Sequence, residues 1–164
     1  GGVSVLGSYA YGLLSNPDIR GQIWGRVPDS WQPLYTVSMF LAAAGCFAFT
    51  YFVFFRVDPE RAQLGSARGL GRFNLLYTLI LLPSALWLPL TFEMIEAPSA
   101  GLWWSICLVL WVVGGASLAL LVAIVKVQSP GADRVRWVGV AGCALFSVQT
   151  ALLDALVWPA YFPY

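Results

Sequence analysis

The chain has 164 residues, about one domain's worth, of which 59% are hydrophobic and only 10% charged, with a mean hydropathy of +0.75. A water-soluble domain normally carries about 25% charge, so this composition excludes water as the solvent for most of the surface and indicates an integral membrane protein. Nine basic side chains against eight acidic ones exclude nucleic acid as a partner, since that needs a concentrated basic patch.

A bilayer core about 30 Å thick is crossed by roughly 20 apolar helical residues. The first apolar stretch, residues 3–15, stops at Ser15-Asn16-Pro17 and is too short to span as it stands. The chain opens at Gly1-Gly2 without a methionine. The favoured reading is a first transmembrane helix cut short at its start. A cleaved signal sequence is the alternative, but no basic n-region accompanies it. Four longer spans follow, at 34–55, 73–92, 101–125 and 137–161. The fold expected is an all-α integral membrane bundle of five helices in one domain over 1–164, with four helices as the alternative.

Placement of basic residues orients the bundle. Arg56, Arg61, Arg68 and Arg72 lie between the second and third spans, and Lys126, Arg134 and Arg136 between the fourth and fifth. Loops 56–72 and 126–136 are therefore expected on the cytoplasmic or equivalent side of a bacterial inner or organellar membrane. The Asn16–Pro33 loop, the Glu93/Glu96 loop and the C-terminus fall opposite. Gly115, Ala119 and Ala123 make a small-residue stripe on the fourth span, Ser38, Ala42 and Gly45 one on the second, and Gly139 with Cys143 one on the fifth. Such stripes let helices approach closely. Pro83 and Pro89 predict a kinked or irregular third span, whose freed carbonyls need partners, with Ser84 and Trp87 alongside.

Candidate chemistry is sparse. The chain has no histidine, which removes the commonest haem and zinc ligand and the usual acid/base of hydrolases. Lys126 is the only lysine and ends a span, so a mid-membrane Schiff base is excluded. Cys46, Cys107 and Cys143 show no paired spacing and read as packing residues. No catalytic set and no metal site emerges.

Asp154 stands out, because an ionisable group inside a span is costly and marks a functional hypothesis. It lies 17 residues past Trp137, roughly 25 Å along a helix, in the outer half of the bilayer. Ser147, Thr150, Asp154 and Trp158 share one helical stripe that should turn from lipid. An interhelical clip is the alternative role for it. Of eight tryptophans, Trp24, Trp31, Trp103, Trp104, Trp137 and Trp158 fall near span ends, whereas Trp87 and Trp111 lie deeper. The deeper pair either lines a cavity for a flat ligand or fills the core.

These features resemble the tryptophan-rich sensory protein / translocator protein family, TspO. The first loop, Pro28-Asp29-Ser30-Trp31-Gln32-Pro33, is similar to its P-x-W-x-P-P signature, with one extra residue before the tryptophan and Leu34 in place of the last proline. Ser84 through Trp87 and Pro89 to Phe92 resembles N-x-x-W-x-P-x-F-F, with serine at the asparagine. Thr150–Trp158 resembles the fifth-helix element, with Asp154 at the asparagine.

The resemblance implies five helices and a membrane-embedded binding protein for a porphyrin, another tetrapyrrole or a sterol-like molecule. Its ligand-binding residues would be Trp31, Trp87, Trp111, Asp154, Ser84 and Thr150, with Arg20 and Arg26 available to a ligand carboxylate. Beyond the lipid bilayer, the partners implied are that hydrophobic small molecule and a second copy. A family reaction, light-dependent tetrapyrrole breakdown, would rely on tryptophan. The rival reading is a non-catalytic accessory or structural subunit of a larger membrane complex, holding a pigment or lipid. A proton-coupled transporter using Asp154 is a third, without an internal repeat to support it.

Overall fold

The structure, a computed structural model, describes residues 2–57, 67–127 and 133–162. Arg61 and the centres of both basic loops lie outside the described residues. The described residues form helices without strands. Helix α1 is Gly2–Ser15, followed by a 3-10 turn at Arg20–Trp24, α2 at Gln32–Phe55, α3 at Ala67–Glu96 and α4 at Ala100–Lys126. The last span runs from Asp133 to Tyr161 as α5, Asp133–Ser147, a π-helical segment, Val148–Val157, and a final turn, α6, Trp158–Tyr161. Four helices are long and apolar enough to cross a membrane, and α1 is the short fifth. The all-α membrane bundle is thus as expected, each span extending slightly past its sequence bounds.

Local chemistry explains the ends. Pro33 enters α2 in its first turn, where its missing N–H costs nothing. Ser99 caps α4, its hydroxyl accepting from the Leu102 amide at 3.2 Å. At the other end of α4, the Arg136 guanidinium donates to the carbonyls of Val125 and Val127 at 3.4 and 3.3 Å. Helix α3 is continuous through Pro83 and Pro89. An irregular stretch lies in the last span.

Small residues set the packing. Helices α2 and α5 pack along each other, and a methyl group at Gly45 would run into the carbonyl oxygen of Gly142. Helix α4 packs on α3, α5 and the π segment. Its contact residue is Gly114, where a methyl group would lie 2.9 Å from the Cα of Ala151. Of the stripe expected on α4, Gly115 and Ala119 face outward, with nothing near Gly115, whereas Ala123 packs against the core. On α2, Ala42 and Gly45 are buried as expected, and on α5 Gly139 and Cys143 are too.

The exterior is greasy. Phe40 is 70% exposed and Phe47 74%, an outward surface that suits lipid tails and not water. Inside, two clusters divide the bundle. One gathers Phe49, Phe52, Ile80, Leu120, Ile124 and Cys143. The other gathers Met94, Ile106, Leu110, Ala155, Trp158 and Phe162, with Trp87 and Trp103 against it.

Candidate functional site

The π segment has no internal glycine or proline to announce it. Its carbonyls, however, have unusual partners. Pro159 has no N–H, so the end of the segment lacks one backbone donor. The indole Nε1 of Trp111 on α4 donates to the Ala155 carbonyl there at 3.1 Å. Two residues before it, the Leu153 carbonyl accepts the Trp158 amide, five residues on, and also the Tyr35 hydroxyl from α2 at 3.1 Å. Side chains of two neighbouring helices thus supply the partners that hydrocarbon cannot, and wide turns of this kind often mark functional sites.

The widened turn places Gln149 and Asp154 one π period apart. Gln149 Nε2 donates to Asp154 Oδ1 at 2.7 Å. Gln149 is 5% exposed, and its Oε1 is buried without a partner. Among the described residues Gln149 is the one side-chain partner of Asp154, and no cation pairs with it. Tyr9 of α1 and Tyr35 of α2 both lie within electrostatic reach of the carboxylate.

Beside this acid stands a run of rings. Tyr9 meets Trp87 edge-on with centroids 5.8 Å apart, and Trp87 meets Trp158 edge-on at 5.9 Å. Trp158 then stacks on Phe162 at 4.5 Å and on Trp103 at 6.4 Å. The first loop covers this end of the bundle and is fastened to it. Trp158 Nε1 donates to the Ile23 carbonyl at 2.8 Å, and the Arg26 amide donates to the Tyr161 carbonyl at 2.8 Å. Trp24 packs edge-on against Tyr35, and Trp31 leans on Tyr161.

The six residues expected at a ligand site divide into separate places. Trp87 meets Tyr9, which lies within electrostatic reach of Asp154, and Ser84 lies one turn before Trp87 on α3. Trp87 Nε1 is buried without a partner, so its indole does not satisfy a carbonyl freed by the prolines, contrary to that expectation. Trp31 sits at the start of α2, 43% exposed, in the covering loop. Trp111 is 47% exposed, and its polar end is committed to Ala155. Thr150 is buried against α4, its hydroxyl 2.8 Å from Ser117 Oγ and 2.9 Å from the Phe146 carbonyl. The polar stripe expected along the last span is therefore broken, because Thr150 turns to α4 while Asp154 turns to Gln149.

Sequence reasoning missed Tyr9, Tyr35 and, as a partner of Asp154, Gln149. The spacing of 149 to 154 is outside the α-helical pairs, so only the π segment could reveal it. Away from this region, a cavity of about 320 Å³ borders Asn74, Tyr77, Thr78, Leu81 and Leu82. A single helix lines it, so it is a groove on the outside of α3. No family model, curated protein or solved structure matches the chain.

Proposed function

We propose that this multi-pass membrane protein binds a flat hydrophobic ligand, of tetrapyrrole or sterol-like size, between α1, α3 and the π segment beneath the first loop. The observation that carries the reading is Trp87. Its indole N–H is buried and unpartnered, and its ring lies between those of Tyr9 and Trp158. A mostly apolar, aromatic site with a few placed polar atoms is what such ligands need. Buried polar atoms left alone in hydrocarbon are costly, so a ligand that meets them gains affinity.

Helix α1 is the wall that yields on entry, because its main packing is against α3. Trp31, in the covering loop, acts as the lid, and Ser84 lies on the path beside Trp87. Trp111 and Thr150 hold the frame. This is a TspO-like pocket in kind, with the covering loop on the side opposite the basic loops. The test is a protoporphyrin IX titration of detergent-purified protein, read by tryptophan fluorescence with inner-filter correction. Saturable quenching that Trp87→Phe weakens at least about fivefold supports the site. Linear quenching, identical in both proteins, removes it.

A second reading, an accessory subunit of a larger complex, has one observation in its favour. The Gly115/Ala119 face of α4 is uncovered and flanked by exposed Trp111 and Leu118, an arrangement that suits a partner helix.

A further inference from the structure

Two acceptor atoms at Asp154 and its partner lack a donor among the described residues. Gln149 spends its amide N–H on Asp154 Oδ1, which leaves its own Oε1 as a buried acceptor without a donor. Among the described residues no donor reaches Asp154 Oδ2 either. Two acceptors and one acidic group therefore meet with no basic side chain between them. Tyr9, within electrostatic reach of the acid, and Trp158, four residues along the chain from it, add aromatic rings, whose faces attract cations.

We propose that the ligand presents a cationic nitrogen donor, an amine carried on a flat aromatic body, to Asp154 and Gln149. This rests on the pocket reading above and specifies the chemistry of its polar end. An ammonium donates to both free acceptors and keeps the rings around it in favourable contact. A carboxylate in the same place meets an acid and an unpaired carbonyl, and loses on both counts. The Trp87 N–H takes a neutral acceptor on the ligand body. Any ligand carboxylate then points away from this group.

The experiment uses probes of one skeleton that differ only in the polar group: 1-pyrenemethylamine, 1-pyrenemethanol and 1-pyrenecarboxylate. Each is titrated into the full chain in neutral maltoside micelles, with empty micelles as control, and binding is read as energy transfer from tryptophan. The amine is expected to bind at least about tenfold tighter than the carboxylate, as a charge-assisted hydrogen bond gives. Asp154→Asn is expected to abolish that preference.

Saturable binding of all three probes with equal affinity overturns the cationic-donor proposal and leaves the pocket standing. So does a preference for the amine that persists in Asp154→Asn. Linear, unsaturable signals from all three overturn the pocket and this proposal with it.

Discussion

Gln149 Nε2 stands 2.7 Å from Asp154 Oδ1, across five residues of one helix. In an α-helix residues three and four apart share a face, so this bond exists only because the segment is π-helical. Losing the acceptor strands a buried amide. Asp154→Leu is therefore expected to destabilise the protein by about 1–3 kcal/mol, and Asp154→Asn, which keeps an acceptor oxygen, by less than half as much. Unfolding midpoints in detergent, followed by circular dichroism, check the order. Equal losses would contradict the role given to the bond.

Trp111 and Pro159 form a second pair, the indole supplying a donor where the end of the segment lacks a backbone one. Trp111→Phe is expected to cost about 1 kcal/mol in the native background. In a Pro159→Ala background, where residue 159 regains its N–H, the same change is expected to cost much less. The coupling, about 1 kcal/mol, is measured by a double-mutant cycle in reversible unfolding. Strict additivity would mean that the indole N–H is not what Ala155 needs.

Adjacent glycines on α4 should behave oppositely. Gly114→Ala forces its methyl group onto the Ala151 backbone and is expected to cost about 1–3 kcal/mol by overpacking. Gly115→Ala meets open space and is expected to be neutral, or to stabilise by a few tenths of a kcal/mol through helix propensity. Gly45→Ala, against the Gly142 carbonyl, belongs with Gly114. Thermal unfolding of the three variants separates the two classes.

The Trp158 indole is one of the fastenings of the first loop. Trp158→Phe keeps the ring in its stack but removes the donor to Ile23. Amide exchange in the 3-10 turn is expected to quicken by about fivefold or more, with exchange in the centre of α4 unchanged. Mass-spectrometric hydrogen exchange on peptides covering residues 16–31 reads this directly. Unchanged exchange there would show that Arg26 and Trp31 fasten the loop without Trp158.

Span positions were legible because length and apolarity alone decide what crosses a bilayer, and no tertiary partner is needed to read them. Asp154 was legible for the same reason, as a cost that hydrocarbon makes conspicuous. The π segment was not, because its stability comes from Tyr35 and Trp111 on other helices. Pro159 was its one local trace, a backbone donor missing at its end. The prolines of α3 leave that span helical throughout, while the π segment, which holds no proline or glycine of its own, lies in the last span. On α4 two neighbouring glycines offered two registers, and the position of Ala151 across the contact chose the less regular one.

Whether a ligand meets Trp87 is tested most directly at its own indole N–H. With 15N-tryptophan in the detergent-solubilised chain, each of the eight indoles gives one N–H signal, assigned by single Trp→Phe variants. On titration with protoporphyrin IX, the Trp87 signal is expected to move furthest and to saturate. Trp104 and Trp137, which face outward, are expected to stay. Shifts confined to those outward indoles, or a drift of all eight without saturation, would place the ligand in the micelle and contradict the site.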